Sequence, residues 1–242
     1  MDLQAFRTHR VQAALWWDGY QPTSRQVMDL ALRPWGGLLD AEPTVLPRGV
    51  GLPPGTPHFI VGSSDQHWRL QLTEERADLF WQQQGQDDEI APERLVTAVI
   101  ETLLPITALD NRLRVVRLAF IVTRVMRQDN PGRTLAEFFC RHELLDGPLN
   151  RPEGFELHAH KAYDPAHGPR VNSWIRWKTA ARQEEDGTRT VIIVEQDLNT
   201  PVPVPEQACF QAHDVRSFFD VMHSEADAIL ALYLSASPGG AQ

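Results

Sequence analysis

Residues 112–126, RLRVVRLAFIVTRVM, constrain this chain more than any other stretch. β-Branched and aromatic side chains dominate it, which suits extended backbone, and apolar residues fall at consecutive rather than alternate positions. The apolar run within it has no polar face to give to water, so that part of the strand is expected to be covered on both sides. The rest of the chain must supply the sheet and the cover.

The remaining segments fit that demand. VQAALWWDG (11–19) ends on an Asp-Gly turn signal and reads as a second strong strand. HFIVGSS from His58, HWRLQLTEE from His67 and RADLFWQQQ from Arg76 follow as three more; the middle one alternates through Trp68, Leu70 and Leu72, so one of its faces is buried and the other wet. FELHAHKAY, VNSWIRWKTAAR and RTVIIVEQDL are the later strands, the last two joined by a hairpin at Asp186-Gly187. Helices are expected between them. TSRQVMDLALRPWGG opens on the capping-box spacing Thr23/Gln26 and stops at Pro34 and Gly36-Gly37, and RTLAEFFCRHELL repeats that spacing with Thr134 and Glu137. PERLVTAVIETLLPI has Pro92 at its first position and a stripe of Leu95, Val96, Val99, Ile100, Leu103 and Leu104. The closing helix starts on Asp214 as N-cap and turns Val215, Phe218, Phe219, Met222, Ala226, Ile229, Leu230 and Tyr233 inward. LLDAEPTVLPRGVGLPPGTP is too rich in Pro and Gly for a regular element and is a long loop.

Both halves thus read strand, helix, three strands, helix. The expected fold class is α+β, with two similar halves, residues 1–110 and 111–236, each an antiparallel sheet covered by a long helix. Side by side, such halves can merge into one curved sheet; residues 237–242 are a frayed tail.

Composition narrows function by exclusion. A hydrophobic content of 42% in 242 residues is that of a folded globular chain. No apolar run approaches the roughly 18 residues needed to cross a bilayer, and the amino terminus lacks the apolar core of a signal peptide. A cytoplasmic protein is therefore expected, with no membrane contact. Cys140 and Cys209 form neither a CxxC nor a paired framework. The net charge of −9 disfavours nucleic acid. Yet seven arginines stand against Asp129 and Glu137 between Arg112 and Arg141, so a nucleic-acid-contacting subunit stays an alternative, with Arg124 and Arg127 as contacts to a ligand or partner.

The patterns that carry chemistry are few. His158 and His160 alternate and share one side of a strand, and with Asp164 or His167 from the following turn they form the candidate metal site of an alternative, metal-dependent enzyme. Their simpler reading is a wet strand face, and no cofactor is predicted. Ser63 and Ser64 lie near Asp65 and His67 without a nucleophile elbow, which reads as a hairpin loop. Phosphate-loop and dinucleotide motifs are absent. Trp174 and Trp177 are three residues apart on a strand, so they face opposite ways and offer at least one ligand or partner contact. Asp197 and Asn199 sit where their strand should stop, as turn residues bonded to the turn backbone. They form a polar cluster with His223, which the prolines after Thr200 hold against the sheet through the last helix.

The run EQDLNT (195–200) and the following helix, DVRSFFDVMHSEADAILALYL with His223 at its middle, resemble the ending of a sporadically distributed family of bacterial proteins of about this size. The resemblance covers about residues 190 to 234. That family has no assigned activity, so the resemblance implies no catalytic residues; its patchy distribution is like that of mobile or defence-associated genes. Together these readings point to a non-catalytic binding or assembly module with a protein partner or a homo-oligomeric state.

Overall fold

The computed structural model describes residues 1–19, 37–46, 55–85, 88–110, 112–150, 152–184, 187–202 and 209–235, with Pro53 and a few positions between 22 and 29. Nine strands occur among them: β1 (Arg7–Asp18), β2 (Thr44–Val45), β3 (Phe59–Gly62), β4 (Trp68–Leu72), β5 (Arg76–Gln82), β6 (Arg114–Arg127), β7 (Glu156–Tyr163), β8 (Val171–Glu184) and β9 (Gly187–Asn199). The described helices are α1 (Pro92–Thr107), α2 (Pro131–Phe139), α3 (His142–Leu145) and α4 (Ala212–Ser235). None is long and apolar enough to cross a membrane.

The expected two-half arrangement is overturned. All nine strands belong to one antiparallel sheet in the order β2-β3-β4-β5-β1-β6-β9-β8-β7. The strands that were to lead separate halves, β1 and β6, are hydrogen-bonded neighbours from Arg7 opposite Val125 to Asp18 opposite Arg114, with irregularities after Thr8 and Trp16. The physical reason lies in their sequences. Each is long and carries an apolar run at its middle, Ala13 to Trp17 in β1 and Leu118 to Val122 in β6, and pairing them satisfies both backbones while placing those runs at the centre of the sheet.

The described helices cover one face. α1 packs against α4, β1 and β5; α4 reaches β6 and β9; α2 lies over β8 and β9. Beneath α1 and the first half of α4 the core is built from Val11, Ala13 and Leu15 of β1, Leu118, Phe120 and Val122 of β6, and the helix residues Leu95, Leu103, Phe218 and Met222. A second cluster gathers Met126, Ile175, Trp177, Ile192 and Val194 under Leu135 of α2 and Leu230 of α4.

Several boundaries differ from expectation. α2 begins at Pro131, because a proline at the first helical position loses no intrahelical bond. Thr134 is therefore inside the helix, where its hydroxyl accepts from Gln128 (2.7 Å). Asp214 is the third residue of α4 and reaches back to accept from the Gln211 N–H (2.8 Å). Most of the helix expected at 23–37 lies outside the described residues, although Thr23 and Gln26 do exchange the reciprocal bonds of a capping box (2.8 and 3.3 Å). The Asp186 hairpin position, Pro203, Pro205 and the tail 237–242 also lie outside them.

Candidate functional site: the open face of the sheet

Side chains alternate along a strand, so turning one set to the helices leaves the other set on the far side. That set comprises Arg10, Gln12, Ala14 and Trp16 of β1, Arg117, Ala119, Ile121 and Thr123 of β6, and Glu195, Asp197 and Asn199 of β9. Asn172, Trp174 and Arg176 of β8, Arg76, Asp78 and Phe80 of β5, and Arg69 and Gln71 of β4 continue it. The two hydrophobic clusters that α1, α2 and α4 join contain none of these side chains.

Register turns the set into an ordered surface. Trp16 lies opposite Arg76 on one side and Arg117 on the other, with guanidinium carbons 5.4 and 4.9 Å from its ring centre. Phe80 lies opposite Arg69, whose guanidinium is 5.0 Å from the ring centre, and Arg10 reaches the same ring diagonally at 4.8 Å. Trp174 has Arg176 at 5.9 Å and is stacked on His160 at 4.2 Å. Such contacts contribute on the order of 0.5–1 kcal/mol each where exposed, and they restrain the guanidiniums beside the rings.

The carboxylates of this face are already engaged. Asp78 accepts from Arg76 (2.7 Å) and Gln12 (2.8 Å). Its side chain is only 1% exposed, and burial pushes its carboxyl up against the opposing pull of Arg76 and Gln12. Glu195 takes Arg176 at 2.5 Å, and Asp197 accepts from the Asn199 amide at 2.8 Å. Arg117 donates to the Asn199 carbonyl oxygen at 3.3 Å. Among the described residues no carboxylate lies within 4 Å of Arg10, Arg69 or Arg117. A hollow of about 110 Å³ opens beside Arg10, between β1, β6, β8 and β9. A wider one, about 770 Å³, lies at the start of α2, where Arg133 is already bound to Glu137 (2.5 Å) and Asp129, Asn130 and Glu153 line the walls beside Pro, Ala and Thr. The smaller hollow is the chemically richer of the two.

The sequence-derived site residues separate. Trp177 is 0% exposed, sealed by Phe6 and Phe139 at ring distances of 5.8 and 5.2 Å, so it offers no ligand contact, whereas Trp174, three residues away, is half-buried on the open face. Arg127 is exposed at the end of β6, whereas Arg124 is 4% exposed beneath α4 and cannot meet a partner. Even-numbered residues of β6 face the helices there, and a buried guanidinium needs partners on the helix that covers it. Arg124 donates to Gln196 and to Asp227, and Gln196 in turn donates to the Ala226 carbonyl (2.7 Å). Burial pushes the Arg124 pKa down. At Asp227 burial pulls upward, but the His223 hydrogen bond and the Arg124 charge outweigh it and leave the carboxyl below its ordinary value.

The expected cluster of Asp197, Asn199 and His223 does not form. Asp197 and Asn199 are strand residues on the open face, bonded to each other rather than to a turn, because β6 and β8 extend the ladder through them on both edges. His223 is on the opposite side of the sheet, with Asp227 at 3.3 Å and the Phe120 ring at 6.3 Å. The strand end is held by Thr200, whose hydroxyl accepts from the Leu118 N–H (3.0 Å). His158 and His160 share the exposed side of edge strand β7, but His158 takes Glu156 (2.7 Å), His160 takes Trp174, and Asp164 takes Arg170 (2.9 Å). No group of three potential metal ligands is gathered among the described residues. Ser63 is bonded to Asp65 (2.5 Å) and to the Trp68 N–H (2.9 Å) in a hairpin turn, while His67 turns to the Gln82 carbonyl (3.0 Å).

Trp16 reads from the sequence as one of several strand tryptophans able to line a cavity or an interface, whereas Arg10, Arg69, Arg76 and Phe80 were not singled out. Their alternation along β1, β4 and β5 was present to be read; their meeting across strands was not. No protein-family model matches the chain, and no curated protein matches it.

Proposed function

We propose that this chain is a non-catalytic binding module that docks a protein partner on the open face of its sheet. One observation carries the reading: three guanidiniums, those of Arg10, Arg69 and Arg117, are held on aromatic rings with no carboxylate partner among the described residues, while each of the carboxylates among them is already bonded. Preorganised arginines beside aromatic rings are the usual anchors of protein interfaces. Among the described residues, Asp78 is the one buried carboxyl with a raised pKa, and at 1% exposure it is sealed from a substrate. A protein suits the face better than nucleic acid does. Arginines already cover the rings on which bases would stack, and Asp78, Glu195 and Asp197 interrupt the positive surface that a phosphate chain would follow.

A photo-crosslinking residue placed at Gln71 or Asn172 on the open face, and at Glu101 or Arg216 on the helix side, tests the assignment in the producing cell. Adducts from the first pair and not the second are expected; adducts from the helix side alone would overturn it. Self-assembly through β7 is the second reading. β7 is an eight-residue sheet edge, and the Thr179 N–H bond to Phe155 (3.2 Å) sets an alternation in which the N–H groups of His158 and His160 point away from β8. Sedimentation velocity over a hundredfold concentration range separates the two.

A further inference from the structure

We infer that the hollow beside Arg10 receives a carboxylate side chain from an acidic, extended segment of the docked partner, with Arg69 receiving a second. This rests on the open face being the docking surface. The hollow's volume of about 110 Å³ equals that of roughly three or four water molecules, room for a carboxylate and its methylene. Arg10 lies across from Thr123, which lies across from Glu195, which lies across from Arg176, so four side chains of one row converge on it. Glu195 is neutralised by Arg176, and the Thr123 hydroxyl has no hydrogen-bond partner among the described residues. An unpaired guanidinium and an unpaired hydroxyl therefore stand side by side, which is the donor set of a carboxylate site.

Charge sets the ligand class. Among the open-face residues named above, Arg10, Arg69, Arg76, Arg117 and Arg176 outnumber Asp78, Glu195 and Asp197, so these side chains carry a positive surplus although the chain as a whole carries −9. Asp197 also lines the hollow, one pair along β9, and it penalises a dianionic phosphate more than a singly charged carboxylate. Arg10 and Arg69 share the Phe80 ring at 4.8 and 5.0 Å, so their guanidiniums are no further apart than the sum of those distances. Alternate side chains of an extended peptide project on one side about 6.6 Å apart, within the reach of two arginines so placed. The complement is thus an acidic residue at every second position.

Fluorescence anisotropy with a labelled peptide of alternating glutamate and serine is the test, with the matching glutamine peptide and a labelled oligo-dT as comparators. The glutamate peptide is expected to bind at least tenfold more tightly than the glutamine peptide and to weaken as salt rises. Arg10→Gln and Arg69→Gln should each weaken it at least fivefold, Arg216→Gln should leave it unchanged, and all variants should melt within about 4 °C of the parent. Should Arg10→Gln fail to fold, Thr123→Val removes only the hydroxyl and should weaken binding two- to fivefold. Equal binding of both peptides, indifference to Arg10 and Thr123, or tighter binding of oligo-dT would overturn the inference. Crosslinks from Gln71 and Asn172 without glutamate-peptide binding would keep the docking face and eliminate the carboxylate class; absence of both would eliminate both.

Discussion

Asp227→Ala probes how α4 is fixed to the sheet. Arg124 is 4% exposed, and its two acceptors are Gln196 and Asp227. Removing the carboxylate leaves a buried cation with one neutral partner, a change that costs about 3–5 kcal/mol where both charges are buried. The Asp227 side chain is 43% exposed, so water screens the pair and the lower end applies, about 3 kcal/mol. In a chain of this size that lowers Tm by about 6–12 °C. Arg124→Met should cost less, about 1–3 kcal/mol, because Asp227 can then hydrate and only the Gln196 carbonyl loses its donor. Equilibrium urea unfolding of both single variants and the double variant measures the terms, and the double variant should resemble Arg124→Met alone. The folded Asp227 carboxyl titrates below its ordinary 3.8, so its contribution is complete above that value and is lost as pH falls through about 4 and below. Asp227→Ala should accordingly flatten the acid limb of the stability profile. A cost below about 1 kcal/mol with strict additivity would show that the pair does not hold the helix.

Other consequences follow from packing. Trp177→Ala, at 0% exposure between Phe6, Phe139 and Tyr233, should cost about 3–5 kcal/mol by thermal or urea unfolding; a loss under 1 kcal/mol would mean the second cluster contributes little. Gly132→Ala places a methyl 2.3 Å from the Pro152 carbonyl oxygen, so it should destabilise by about 1–3 kcal/mol and shift the start of α2, read as a lower Tm. Asn199→Ala breaks bonds to Asp197 and Arg117 at a buried position and should cost about 1–2 kcal/mol. An unchanged Tm for it would contradict a structural role.

Chain-local chemistry reached far in this protein. Apolar alternation and consecutive β-branched runs mark where the chain is extended, and helical spacing marks Leu95, Leu103, Phe218 and Met222 as buried. Those patterns arise within a few residues, so one stretch of sequence contains them. The opposed faces of Trp174 and Trp177 follow from strand geometry alone. Which of them is sealed does not, because that depends on where α2 and α4 land. Arg124 reads as one more strand arginine until Asp227, 103 residues later, is folded over it. Asp197 and Asn199 are turn-forming residue types, but hydrogen bonding to β6 and β8 on both edges keeps them in the strand. The arginine and aromatic face is the extreme case, since its contacts join β1, β4, β5 and β6 and no local pattern contains a cross-strand neighbour. Local periodicity therefore determined the elements and their buried stripes, while strand order and the choice of covered face determined which side chains are left to meet a partner.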